Sequence, residues 1–151
     1  AIIVVSDVPV FVGVGGGITG GDRAVRLAIE AENQGAFGVV VNAPISDEVI
    51  SRIKQVVDIP VIATIVSERM DIRSRMEAGA DFLNVSGAAA TPQIVRSIRT
   101  QFPDVPILAT GGPNEKTILE TIRAGANAIT YSPPSNGELF ADIMQKYRGK
   151  L

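Results

Sequence analysis

The sequence contains neither cysteine nor histidine. Without cysteine there can be no disulfide, no thiolate nucleophile and no zinc–cysteine site. Without histidine the chain lacks the commonest general base and the commonest metal ligand. Aromatic residues are also scarce, at 5% of a chain that is 46% hydrophobic. The core must therefore be built from valine, isoleucine, alanine and leucine, a mixture typical of strands that are covered on both faces.

Long runs of charge and long apolar runs are missing as well. The formal net charge is −2 and no basic run exceeds two residues, so we expect no nucleic-acid partner. No apolar stretch reaches the roughly 18 residues that span a bilayer, and the first residues show no charged leader. We therefore expect a cytoplasmic protein without a membrane partner, folded as a single domain over residues 1–151.

Two short phrases each occur three times along the chain. The first is an aspartate, an apolar residue and a proline followed by an apolar run, and the second is a Gly-Ala pair that leads into another apolar run. The first phrase begins at Asp7, Asp58 and Asp104, and the glycines of the second are Gly35, Gly79 and Gly125, in steps of 44 and 46 residues. A repeat of this length, holding two strands and two helices, indicates a wound parallel sheet or a barrel.

The periodicity predicts six strands that alternate with six helices. Ser46, Thr91 and Ser135 stand at N-cap positions, and the three repeated glycines fit the left-handed residue that closes a helix. Short connections between such elements imply parallel strands with right-handed crossovers, an α/β fold of the (βα)8 TIM-barrel type. The predicted strands are 10–14, 37–42, 60–66, 81–86, 106–110 and 127–132, and the predicted helices are 22–34, 46–57, 69–78, 92–102, 114–124 and 136–147.

The segment Ala1–Ser6 resembles one further strand. No helix separates it from the next strand at Val10, whereas a crossover between parallel neighbours needs a dozen residues or more. The segment either pairs antiparallel or belongs with segments beyond this sequence. We favour the second alternative, in which the chain is part of an eight-stranded barrel.

The order of motifs resembles the 2-keto-3-deoxy-6-phosphogluconate aldolase family of barrel enzymes. The resemblance runs from Val10 to Tyr131, as that family's third to eighth βα units. Its marks are the glycine-rich end of strand 10–14, Val39-Val-Val-Asn-Ala-Pro, Pro60-Val-Ile-Ala-Thr, and Phe102-Pro-Asp-Val-Pro-Ile-Leu-Ala-Thr-Gly-Gly. The resemblance implies a TIM-barrel enzyme whose terminal Thr-Gly-Gly holds a substrate phosphate.

The chain departs from this family at the Schiff-base lysine. The matching phrase is Asp81-Phe-Leu-Asn-Val-Ser-Gly-Ala, in which Asn84 stands in the place of the lysine. All four lysines of the chain fall in predicted helices or in the tail. An amide cannot form an imine with a carbonyl substrate, so the alignment excludes Schiff-base aldolase chemistry.

In parallel barrels the active site forms at the carboxyl ends of the strands. We take Glu68 and Asn84 as candidate catalytic residues. Glu68 is either a base or a ligand for a hard cation such as Mg²⁺, or an ordinary carboxylate in the first turn of a helix. No cofactor is otherwise predicted. The candidate substrate- or phosphate-binding residues are Gly15, Gly16, Gly17, Asn42, Thr64, Arg69, Ser86, Thr110, Gly111, Gly112 and Ser132.

Three features of this set have alternative interpretations. Asn84 and Ser86 lie two residues apart and so share a face, where they either orient a substrate or plug the barrel. The Gly15–Gly20 motif suits a dinucleotide, an anion or a plain tight turn, and the neutral Asn42 stands where a dinucleotide site needs an acid. Thr110-Gly111-Gly112 before a helix favours a phosphate or another anion.

Two functions remain open. The first is an enzyme, a lyase, epimerase or hydrolase that acts on a small phosphorylated or carboxylated metabolite without an imine. The second is a barrel without catalysis that binds a small anionic metabolite as a sensor or assembly component, which the absence of histidine, cysteine and an interior lysine favours. A homodimer is expected only as a general property of such barrels.

Overall fold

Six short parallel strands, each followed by a helix, form the fold of this chain. The computed structural model describes residues 2–112 and 114–149. The strands are β1 (Phe11–Gly15), β2 (Gly38–Val41), β3 (Val61–Ile65), β4 (Phe82–Val85), β5 (Ile107–Thr110) and β6 (Ala128–Thr130). The helices are α1 (Ile2–Val5), α2 (Gly21–Asn33), α3 (Asp47–Lys54), α4 (Ile72–Glu77), α5 (Thr91–Gln101), α6 (Glu115–Arg123) and α7 (Asn136–Arg148), with a 3₁₀ turn at Ala88–Ala90.

The strands pair in chain order, from β1 beside β2 to β5 beside β6, and every pair is parallel. A doubly wound dinucleotide-binding sheet would reverse its strand order at a switch point, and this sheet has no reversal among the described strands. The arrangement is that of a partial βα barrel, which confirms the six predicted βα units. It also argues against a dinucleotide site at Gly15–Gly20.

The core lies between the sheet and the helices. Alternate strand residues such as Val41, Ala63 and Val85 are at most 1% exposed and pack in one cluster with helix residues such as Ile50 and Ile94. Because side chains alternate along a strand, the residues between them face the other side of the sheet. That second face is the one on which the candidate site is built.

Two of the three Gly-Ala phrases, those at Gly79 and Gly125, share one contact pattern at the amino ends of the strands. The Asp81 carboxylate accepts a hydrogen bond from the Val61 N–H at 2.8 Å, and the Asn127 side chain accepts one from the Ile107 N–H at 2.9 Å. In both repeats the preceding Gly-Ala glycine has a positive φ, of 108° or 109°. The phrase therefore closes a helix and then tethers the next strand to its neighbour.

The predicted strand at Ala1–Ser6 is wrong. Ala1 lies outside the described residues, and Ile2–Val5 forms a single helical turn in which Ile2, Val4 and Val5 are 75–80% exposed. Valine and isoleucine favour strands only where a partner strand accepts them, and the described chain offers none here. The Ser6 N–H instead donates to the Ile3 carbonyl at 3.4 Å and closes the turn.

Several predicted boundaries shift because capping groups decide them. Helix α4 begins at Ile72 and not at residue 69, because the Asp71 side chain accepts the Ser74 N–H as the N-cap. Ser135 is confirmed as an N-cap, with Glu138 completing the capping box. Thr91 is not an N-cap and lies inside α5. None of the described helices is long and apolar enough to cross a membrane.

Candidate functional site

A row of amide and hydroxyl side chains runs across the second face of the sheet, along the carboxyl ends of β2 to β6. We call it the polar row. Strand register places its members side by side, since Thr64 pairs with Asn84 and Thr110 pairs with Thr130. Its members are Asn42, Thr64, Asn84, Ser86, Thr110 and Thr130.

Hydrogen bonds connect the row in two groups. The Thr64 hydroxyl, which belongs to a side chain only 7% exposed, donates to Asn42 Oδ1 at 3.4 Å and accepts from Asn84 Nδ2 at 3.2 Å. The Thr110 hydroxyl donates to Ser86 Oγ at 3.2 Å. These contacts fix which way the amides point. These contacts leave the side-chain carbonyl oxygen and the second N–H of Asn84 unused. Asn84 is half-buried, so a ligand can reach both groups.

Thr130 was missed by the reasoning from sequence. That reasoning extended the last strand to residue 132 and chose Ser132, whereas β6 ends at Thr130. Ser132 lies two residues further on and so has the same parity as Thr130, and the pairing with Thr110 is what identifies Thr130 as the member of the row. A register read from the preceding strand would have found it.

Glu68 and Arg69 lie in the loop between β3 and α4, and both are exposed. Because α4 starts at Ile72, Glu68 is not the first-turn carboxylate that one interpretation assumed. Glu68 Oε2 accepts a hydrogen bond from Gln93 Nε2 of α5 at 3.2 Å, and the residue lines a cavity of 240 Å³ between α4 and α5. The structure therefore places Glu68 beside the helix layer and does not bring it to Asn84 through any hydrogen bond of the described residues.

The glycine turn after β1 supports Asn42. The Asn42 N–H donates to the Gly15 carbonyl at 2.7 Å, and a Cβ on Gly16 would lie 1.8 Å from the Asn42 carbonyl oxygen. The N–H groups of Gly16 and Gly17 already donate to protein carbonyls, those of Thr19 and Pro44. These are the contacts of a supporting turn, and a direct role of Gly15, Gly16 and Gly17 in anion binding stays a prediction.

In the Thr110-Gly111-Gly112 segment, Gly111 also serves the packing of the protein. The Gly111 N–H donates to the Thr130 carbonyl at 3.0 Å, and a Cβ there would lie 2.6 Å from Ile129 and 2.7 Å from Ile118. Gly111 thus allows α6 to pack closely on β5 and β6, and its N–H is not available to a phosphate.

A cavity of 570 Å³ at the carboxyl ends of β5 and β6 is lined by Thr110, Gly112 and Ser132. Glu138 also lines this cavity. The hydroxyl and then the backbone N–H of Ser135 hydrogen-bond to the Glu138 carboxylate and hold its pKa below its ordinary value. Glu138 therefore keeps a negative charge at neutral pH, which weakens this cavity as a site for a phosphate.

The polar row itself is uncharged, and its donor set does not suit a hard cation. Among residues 2–112 and 114–149 no group of three or more acidic residues lies close enough to hold a metal ion. Mg²⁺ prefers carboxylate ligands that complete an octahedron, and the row offers only amides and hydroxyls. Magnesium at Glu68 stays a prediction on which nothing below depends.

No protein-family model and no curated protein sequence matches this chain. Solved structures do match. The chain is 20% identical to a protein assigned as a phosphonomutase, from Burkholderia cenocepacia J2315, with a TM-score of 0.65 over 95% of this chain and 68% of that one. It is 16% identical to a phosphonopyruvate hydrolase in complex with oxalate and Mg²⁺, with a TM-score of 0.68 over 98% of this chain and 61% of that one.

A mandelate oxidase variant with an FMN adduct is 19% identical, with a TM-score of 0.70 over 83% of this chain and 48% of that one. The chain thus spans between about half and two thirds of the length of these proteins. Identities this low show the fold alone. The chain has the fold of a partial TIM barrel, and these structural neighbours are TIM-barrel enzymes.

Proposed function

We propose that this chain is part of a TIM-barrel enzyme that acts on a small carboxylated, phosphonated or phosphorylated acid at the polar row. The hydrogen-bonded chain of Asn42, Thr64 and Asn84 at the carboxyl ends of three adjacent strands carries this proposal. Barrel enzymes form their active sites at this end. The names of the neighbours, a phosphonopyruvate hydrolase bound to oxalate and a mandelate oxidase, support a small acid as the substrate.

Asn84 is the group that we assign to the reacting centre. Thr64 holds one N–H of its amide, so the second N–H has a fixed direction and can donate to a carbonyl or hydroxyl oxygen of the substrate. A donor that is already oriented stabilises negative charge developing on that oxygen without reorganisation. This suits a reaction that passes through an enolate or another oxyanion, and it fits the lyase, epimerase or hydrolase classes that the aldolase-like resemblance implies.

An imine mechanism has no lysine to carry it within the described chain. Lys54 is bound by both oxygens of Asp81, at 3.0 and 2.8 Å, at the amino end of β4 and therefore at the edge opposite to the row. Lys146 is paired with Asp142 on the surface of α7, and Lys116 is exposed in the first turn of α6, not on a strand. Asn84, in the position of the family's Schiff-base lysine, can only hydrogen-bond.

We assign the acid group of the substrate to Arg69 and the Ser86 hydroxyl. Thr110 and Ser132 share their cavity with the charged Glu138, so their part in anion binding stays a prediction. The Arg69 guanidinium has no salt bridge or hydrogen bond to any residue in 2–112 or 114–149. It is therefore available to an anion at the carboxyl ends of the strands. Glu68, next to it, stays our candidate base, because the loop that carries it follows the carboxyl end of β3 and the row itself contains no titratable group; it would have to leave its contact with Gln93 to act there.

The absence of charged side chains in the polar row also favours a second candidate function. A site without a positioned acid or base can bind a small anionic metabolite and catalyse nothing, as in a sensor or an assembly component. Such a barrel would keep the Asn84 contact and would have no need of Glu68. A homodimer is compatible with either candidate and stays a prediction.

Calorimetric titration with oxalate tests the binding site shared by both candidates. We expect Asn84→Ala to weaken oxalate by about tenfold or more, because a hydrogen bond to a charged group contributes roughly 1.5–3 kcal/mol. The control is Asn33→Ala, the same substitution at the exposed end of α2. Equal affinities for the two variants would remove the row as the site.

Turnover separates the two candidates. Phosphonopyruvate and 2-hydroxy acids are the first substrates to test. If Glu68→Gln leaves oxalate affinity unchanged and abolishes turnover, the enzyme is supported. Turnover that survives this substitution would remove Glu68 as the base, and binding without turnover in the unmodified protein would favour the sensor.

A further inference from the structure

A cavity of 520 Å³ adjoins the polar row at Thr110, between the start of α5 and the helix α6. The 3₁₀ turn contributes Ala88 and Ala89, α5 contributes Pro92, and α6 contributes Thr117. Its volume falls within the range of about 300–1,000 Å³ that is common for small-molecule sites. Of its lining residues, only the Thr110–Gly112 segment was predicted from the sequence to bind a ligand.

The wall of this cavity is apolar. Thr91 and Thr121 also line it, each only 1% exposed, and both hydroxyls are already engaged. Thr91 Oγ1 accepts from the Gly87 N–H at 3.0 Å, and Thr121 Oγ1 donates to the Thr117 carbonyl at 2.9 Å. Because both hydroxyls are used within the protein, the alanines and the proline supply the hydrocarbon surface of this wall, which gains by contact with an apolar group.

Charge decides which part of a ligand can enter. Glu120 is the charged residue of this lining. A carboxylate beside an apolar wall repels an anion and offers it no compensating donor, so the acid group of a ligand is disfavoured here. Thr110 belongs both to this cavity and to the polar row, where its hydroxyl contacts Ser86. A ligand held at the row would have to extend past Thr110, around the end of β5, to place its uncharged end in the cavity.

We propose that this cavity is a specificity pocket for the apolar side chain of the acid bound at the polar row. The occupant is a branched aliphatic or aromatic substituent, and a methyl group is too small to fill the space. This inference rests on the proposed function, because it takes the row as the site of the acid group. It makes the substrate a small acid with a hydrophobic tail.

Calorimetric titration with two acids that differ only in the tail tests the pocket. Pyruvate carries a methyl group, and 4-methyl-2-oxopentanoate carries an isobutyl group in its place. Each buried carbon contributes a factor of about four in affinity, so burial of the three additional carbons makes the longer acid about sixtyfold tighter. This preference is measured on the unmodified protein and needs no variant to fold.

Leucine at position 89 should block the pocket. Ala89 and its neighbour Ala90 are both exposed in the same 3₁₀ turn, and only Ala89 lines the cavity. We expect Ala89→Leu to abolish the preference for the longer acid and to leave pyruvate affinity within about twofold. Ala90→Leu is the matched control and should retain the preference.

The outcomes separate the pocket from the site. If both acids bind equally, or if Ala89→Leu keeps the preference, the pocket is refuted while the proposed function stands. If neither acid binds, the proposed function is refuted and the pocket with it. A preference that Ala89→Leu removes and Ala90→Leu keeps supports both.

Discussion

Replacing Asp81 by alanine should destabilise the fold by about 2 kcal/mol. Asp81 Oδ2 accepts the Val61 N–H at 2.8 Å, and Val61 is fully buried, so the substitution leaves this N–H without its partner. An unsatisfied buried donor costs roughly 1–3 kcal/mol. The ion pair with Lys54 adds less than about 1 kcal/mol, because its side chains are 35% and 34% exposed.

The third Gly-Ala phrase, at Gly125, supplies the control. At the equivalent position Asn127 uses its Oδ1 to accept the Ile107 N–H, with no carboxylate involved. Asp81→Asn should therefore keep the tether to Val61 and lose only the ion pair, a loss of less than about 1 kcal/mol. Urea denaturation followed by circular dichroism measures both variants. With a slope of about 2 kcal/mol per molar, alanine should lower the midpoint by about 1 M and asparagine by less than half of that.

Two results would refute this reasoning. If the asparagine variant were as unstable as the alanine variant, the ion pair and not the tether would dominate. If the alanine variant were as stable as the unmodified protein, the repeated phrase would not hold the strands together.

Three further predictions concern packing, the polar row and a helix cap. Gly111→Ala should destabilise by about 1–3 kcal/mol, because its Cβ would lie within 2.7 Å of two isoleucine side chains, and thermal melting measures the loss. Thr64→Val should release the Asn84 amide, which nuclear magnetic resonance detects as a shift of its side-chain N–H signals with a loss of about 1 kcal/mol. The pKa of Glu138 is lowered from 4.5 by Ser135, so the cap of α7 is fully present above pH 4.5 and is lost as the pH falls through the lowered value. Amide exchange in α7 should report this loss, and Ser135→Ala should remove the pH dependence.

The fold was predictable because the repeated sequence phrases correspond to repeated helix ends and strand starts. A Gly-Ala phrase predicts the end of a helix and the start of a strand, and the structure realises both at Gly79 and Gly125. The terminal segment failed because apolar branched residues indicate a strand without saying whether a partner exists. Ile2–Val5 has no partner strand in the described chain, and the prediction of a strand was wrong for that reason.

The candidate site was predictable in its residue types and less so in its contacts. The spacing of Asn84 and Ser86 predicted a shared face at a strand end, and the hydrogen bonds to Thr64 and Thr110 agree with it. A glycine-rich sequence does not show whether its backbone N–H groups are free for a ligand or donate to carbonyls of the protein. The glycine-rich turn and Gly111 suggested anion sites, whereas the N–H groups of Gly16, Gly17 and Gly111 donate to carbonyls of the protein.

Titration of the side-chain amide signals with oxalate tests the central claim, that a small acid binds at the polar row. The account predicts that the N–H signals of Asn42 and Asn84 shift together and saturate with one affinity, while those of Asn33 and Asn114 do not move. Saturable shifts confined to residues away from the row, or no shift at any oxalate concentration, would contradict it.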